Sequence, residues 1–123
     1  MKEISCIHAE SYAAGELKHG TIALIEERQP VIELCCNSGL QEKNISNIVE
    51  VKARGAEVLA VAAKGNQKII AVADDIIYVP QTETVFSAAV EIVPLQLLAY
   101  YVAGENGCDI DKPRNLAKSV TVE

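Results

Sequence analysis

Two apolar runs, VIELCC (Val31–Cys36) and EVLAVAA (Glu57–Ala63), stand out along the chain. Pro30 precedes the first and Asn37-Ser38-Gly39 follows it, which suits a strand buried on both faces. Between the runs, Ile45, Ile48, Val49 and Ala53 recur at helical spacing, so Leu40 to Arg54 reads as an amphipathic helix. Asn37 or Ser38 can cap its start, Glu50 and Arg54 form an i,i+4 pair, and Gly55 suits the left-handed residue after its end. Strand, helix and strand joined this closely predict a right-handed parallel βαβ unit. Ile76–Val79, closed by Pro80, adds a third strand.

A long helix is expected from Thr82 or Thr84 to about Ala103. Val85, Phe86, Ile92, Val93, Leu97 and Leu98 make it apolar nearly all round, which predicts burial, and Pro94 should kink it or begin a new helical segment. Elsewhere the pattern decides less. Ile4–Ala9 is short and ambiguous, Lys64–Asp75 fits a strand or a helical turn, and Ala13–Ile25 reads as a short helix interrupted by glycines. Gly107–Glu123 carries charges without a period.

Composition narrows the class. Half of the 123 residues are apolar, with no Trp and one Phe, so an aliphatic α/β core in one domain is expected. Eleven basic against 17 acidic residues leave a net charge of −6, which argues against nucleic acid and anionic membranes as partners. No uninterrupted apolar run approaches the ~18–20 residues of a membrane span, and the expectation is a cytoplasmic protein. Cys6, Cys35, Cys36 and Cys108 form no C-x-x-C motif and complete no zinc set with the two histidines, so they read as idle thiols. No metal or cofactor is expected.

Chemical candidates are few. The chain has no dinucleotide-binding fingerprint, phosphate loop or nucleophile elbow. GELKHG, Gly15–Gly20, holds His19 between glycines, either as a surface loop residue or as a catalytic base. Lys118 is by composition a solvated charge in a polar tail, and Glu3 an acidic residue near the N-terminus.

These same segments carry a resemblance. HAESYAAGELKHGTIALIEE, VEVKARGAEV, VPLQLLAYYVA and CDIDKPRNLAKSVTVE look like the C-terminal part of the glucosamine-6-phosphate synthase family, the isomerizing glutamine–fructose-6-phosphate amidotransferases. The similarity runs over essentially the whole chain. It implies an αβα sandwich with a parallel sheet, the flavodoxin-like SIS (sugar isomerase) domain, binding a sugar phosphate near the strand ends. Glu3 would match the glutamate that moves a proton between C1 and C2. His19 would match the ring-opening histidine contributed by a neighbouring subunit, and Lys118 the lysine that forms an imine with the ketose, with Ala117 beside it in the substrate site. An amine can capture a ketone, and a carboxylate can shuttle the adjacent proton.

The resemblance further implies a division into a partial second SIS domain, residues 1–108, lacking its first strand, and a tail, 109–123, bearing the catalytic lysine. A second lysine expected just upstream of Lys2, the phosphate-holding Ser/Thr loop and the glutaminase nucleophile have no counterpart in this sequence. The expected partners are fructose 6-phosphate or glucosamine 6-phosphate, the remaining isomerase and glutaminase domains, and further copies of the chain. Alone, the chain is expected to be inactive. The alternative readings are a non-catalytic SIS module that binds a sugar phosphate or a partner protein, and a truncated frame without a function of its own.

Overall fold

Three β-strands form one parallel sheet in the order β1 (Pro30–Leu34), β2 (Glu57–Ala63), β3 (Asp75–Val79). The computed structural model describes residues 1–113, in two compact units: Tyr12–Pro94, which holds the sheet, and Met1–Ser11 with the residues from Leu95 onward. β2 is central, so its Val58, Ala60, Val61 and Ala62 are almost fully buried. Helix α2 (Gln41–Lys52) lays Ile45, Ile48 and Val51 against the face carrying Val31, Val58, Ala60 and Ala62. The short side chains on β2 leave room for the larger ones on the helix. The parallel βαβ unit expected from the pattern is therefore present.

Polar contacts fix the joints. Asn37 caps the 3-10 turn Ser38–Leu40 that leads into α2, its side chain accepting from the Gly39 N–H at 3.0 Å. Gly55 adopts φ +93° after the helix, where Glu27 would obstruct a Cβ. Asp74 accepts from the Val58 N–H at 2.8 Å and pairs with Lys52 at 2.6 Å, joining the end of α2 to the starts of β2 and β3. The Lys52 hydrogen bond holds the Asp74 carboxyl below the usual range.

Several expectations need correction. β1 is not buried on both faces: Ile32 and Leu34 are 38% and 44% exposed, because α2 covers only the opposite face. Cys35 and Cys36 fall beyond the strand, although the Cys35 N–H still donates to the Val61 carbonyl. Of the two readings left open for Lys64–Asp75, the helical turn is the one present: a 3-10 turn, Lys68–Ala71, buries Ile69, and Asp75 begins β3. Ala13–Ile25 holds two 3-10 turns, Ala14–His19 and Thr21–Leu24, hinged at Gly20. Glu50 and Arg54 do not pair through their charged ends; the Arg54 guanidinium donates to the Glu50 carbonyl oxygen at 2.8 Å.

The largest departure is α3 (Ser87–Glu105), preceded by the 3-10 turn Thr84–Phe86. Val85, Phe86, Val93 and Leu97 are more than half exposed, so the helix is not buried as its composition predicts. Helical structure continues through Pro94, and the boundary between the two units falls just after it. From Thr84 to Glu105 the segment is 22 residues long and contains an 18-residue stretch with a mean hydropathy of 1.6, which by length and composition alone is enough to cross a membrane. Glu91, Pro94 and Gln96 break the apolar run, so the segment passes on its average composition and not as an uninterrupted run. Glu91 is itself buried and accepts the Cys36 N–H at 2.9 Å.

In the other unit, the short helix α1 (Lys2–Ser5) lies in the stretch left ambiguous by pattern. Ser5 is buried, and its hydroxyl donates to the Ala99 carbonyl of α3 at 2.8 Å. Ala99 and Ala103 are buried too, and their small side chains let backbone and hydroxyl meet closely.

Candidate functional site

Glu3 lines a concave pocket of about 360 Å³ within the unit formed by Met1–Ser11 and the residues from Leu95 onward. Ile4, Ser5 and Cys6 form one wall, and Asn106 to Asp109 with Pro113 form the other. Buried Ser5 sets the position of α1, and the Asn106 side chain donates to the Ser5 carbonyl at 3.4 Å. Gly107, at φ +67°, turns the chain out of α3, a left-handed step that glycine makes without strain. Beyond it, Asp109 accepts the Lys112 N–H at 2.9 Å and closes the following turn. The Lys2 ammonium pairs with Glu10 at 2.8 Å and, chiefly through that hydrogen bond, holds the Glu10 carboxyl below its ordinary range.

Among the described residues, the pocket thus offers carboxylates at Glu3 and Asp109 and no lysine or arginine in its lining. Such a surface can accept or deliver a proton. A phosphate would meet like charge there, so a sugar phosphate would have to direct its phosphate elsewhere.

His19 lies in the other unit, at the end of the 3-10 turn Ala14–His19. Its side chain is 75% exposed, with Nε2 4.0 Å from the Glu16 carboxylate. Gly20 follows at φ +150°, ψ −53°, a conformation that a side chain would strain. Leu17 packs against the sheet core, Ile22 is buried, and the Lys18 ammonium pairs with Glu50 of α2 at 2.6 Å. Lys118 and Ala117 lie outside the described residues.

Two buried carboxyl groups, Glu33 and Glu91, escaped the reading of the sequence, whereas Cys35 and Cys36 read there as idle thiols. Glu33 faces the covered side of the sheet opposite Ala60, and burial pushes its carboxyl up to about 7. Burial likewise pushes the Cys35 and Cys36 thiols up to about 12, so neither is a nucleophile near neutral pH. Cys35 is aimed at the core under α2, while Cys36 lies near Glu91. A glutamate inside an apolar run, as in VIELCC or VEIV, was the available signal for burial. Among the described residues, no group of three His, Cys, Asp or Glu side chains could hold a metal ion.

Comparison with known proteins places this architecture. The SIS domain family matches residues 1–105. A protein of Caldanaerobacter subterraneus subsp. tengcongensis and one of Clostridium acetobutylicum are each 58% identical over all 123 residues. A Methanosarcina acetivorans protein is 54% identical over the same length. All three are named isomerizing glutamine–fructose-6-phosphate aminotransferase, and the chain spans 20% of the length of each. Among solved structures, the C-terminal domain of glucosamine-fructose-6-phosphate aminotransferase from Francisella tularensis superposes with a TM-score of 0.80 at 36% identity. That match covers 88% of this chain and 31% of the other. With a parallel α/β sheet, a sequence match across most of its length and a close structural counterpart, the chain belongs to the SIS domain family.

Proposed function

We propose that this chain is part of the isomerase module of an isomerizing glutamine–fructose-6-phosphate aminotransferase. In that module fructose 6-phosphate and glutamine-derived ammonia become glucosamine 6-phosphate. The observation that carries the reading is 58% identity sustained over every residue of the chain to proteins of that name. Because the chain spans 20% of those relatives, the phosphate-holding loop and the glutaminase come from the rest of the protein, and this segment alone is inactive. The assembled protein works in the cytoplasm, and its neighbouring subunit contributes His19.

The proposed chemistry assigns one task to each residue. His19 moves the proton that opens the sugar ring. Lys118, in its neutral form, adds to the C2 ketone and expels water to give an imine, next to Ala117. An ordinary lysine is protonated at pH 7, so a dry site or a neighbouring cation must favour the free amine. Glu3 then carries the proton between C1 and C2. Support for its role is its place on a concave surface that also carries Asp109.

Borohydride reduction of the assembled enzyme with fructose 6-phosphate, followed by peptide mapping, tests the assignment. The expected adduct lies on Lys118, and Lys118→Arg abolishes turnover. An adduct on another lysine, or full turnover by Lys118→Arg, overturns it.

A further inference from the structure

We propose that Glu50 is a positioning residue for His19, acting through Lys18. This inference rests on the reading of His19 as the ring-opening histidine. By pattern Glu50 is a charge on the polar side of α2. In the fold its carboxylate meets the Lys18 ammonium at 2.6 Å, across 32 residues of sequence. The Arg54 guanidinium is engaged with the Glu50 backbone carbonyl instead, which leaves the carboxylate to Lys18.

The helix is a firm base for such a strut. Ile48 and Val51, flanking Glu50, are fully buried in the core beneath it. The Glu50 side chain is itself 33% exposed and that of Lys18 48%, so the pair is partly sheltered from solvent. The 3-10 turn that it supports has poorer hydrogen-bond geometry than an α-helix and depends on such external ties. Leu17 holds the turn to the core on one side, Ile22 holds the chain beyond Gly20, and Lys18 is tied to α2 between them. His19 is the side chain left projecting, and Glu16 is beyond hydrogen-bond reach of its ring. Without the strut the turn is held only at its ends, and the imidazole sweeps a wider arc. Catalytic groups lose rate when their placement loosens.

The test has two readouts. In the assembled enzyme with this segment ¹⁵N-labelled, Glu50→Gln and Lys18→Met should lower the backbone order of residues 17–20 and leave β2 unchanged. The reversed pair, Lys18→Glu with Glu50→Lys, should restore it. In the enzyme assembled with its remaining isomerase and glutaminase parts, Glu50→Gln should lower kcat about two- to five-fold, the range of a part-sheltered ion pair. KM for fructose 6-phosphate should stay unchanged, and the reversed pair should recover kcat. If Glu50→Gln leaves both loop order and kcat intact while His19→Asn abolishes turnover, the strut is overturned and the role of His19 stands. If the loop loosens but neither Glu50→Gln nor His19→Asn affects turnover, the reading of His19 fails and takes the positioning role of Glu50 with it.

Discussion

Glu33 shows what one residue's surroundings do to a charge. It stands in β1 opposite Ala60, on the face covered by α2, and burial pushes its carboxyl up to about 7 from a reference of 4.5. Below about pH 4.5 the group is protonated in both folded and unfolded chains and has no net effect on stability. As pH rises above the unfolded value, the unfolded chain gains a solvated carboxylate while the folded chain keeps its proton until the folded value is passed. Stability therefore falls between about pH 4.5 and 7, by up to about 3 kcal/mol. Glu33→Gln should raise the urea midpoint at pH 8 and leave it nearly unchanged at pH 4. An equal effect at both pH values would show that the carboxyl stays charged in the fold. The sequence marks Glu33 only as a polar letter in an apolar run; its register against β2 decides which face it occupies.

At the scale of elements, α2 and α3 separate composition from burial. α2 has a moderate apolar stripe, yet Ile48 and Val51 along it are 0% and 2% exposed, because β2 presents Ala60 and Ala62 beneath them. α3 is far more apolar, yet its Leu97 is 51% exposed and Phe86, in the 3-10 turn leading into it, 57%. Ile48→Ala should thus cost about 2–5 kcal/mol, the range for emptying a packed core position. Phe86→Ser and Leu97→Ser should each change stability by about 0.5 kcal/mol or less. Urea denaturation of the three variants checks the contrast, and a large loss from either α3 substitution would place those side chains in a packed interface. Periodicity made α2 legible along nearly its whole length. It could not show which side of an all-apolar helix finds a partner, because that depends on elements distant in sequence.

For the whole molecule, the exposed side chains gather into surfaces that water disfavours. Among the described residues β1 pairs only with β2, Ile32 and Leu34 stand exposed beside its open edge, and in the same unit Val85 and Phe86 before α3 and Val93 within it are exposed too. An open edge flanked by apolar side chains is a template for pairing. The isolated chain should therefore self-associate, its average mass in sedimentation equilibrium rising with concentration. Ile32→Lys should weaken that association. A concentration-independent monomer would contradict the expectation. In the assembled enzyme we propose that the rest of the SIS fold covers these surfaces, as the chain's 20% share of its relatives implies.

Local pattern determined the three strands, the α2 helix, the parallel βαβ order and the turn at Gly55, because apolar spacing and turn residues act over a few neighbours. The motifs GELKHG and PRNLAKSVTVE likewise pointed to the SIS family without any coordinates. Tertiary structure alone decided that β1 shows one bare face, that Glu33 and Glu91 are buried, and that Glu50 reaches Lys18 rather than Arg54. It also decided that Glu3 lines a pocket with Asp109, 106 residues further along the chain. Each of these depends on which distant segments meet, and close packing sets that through shape and volume rather than through the order of letters.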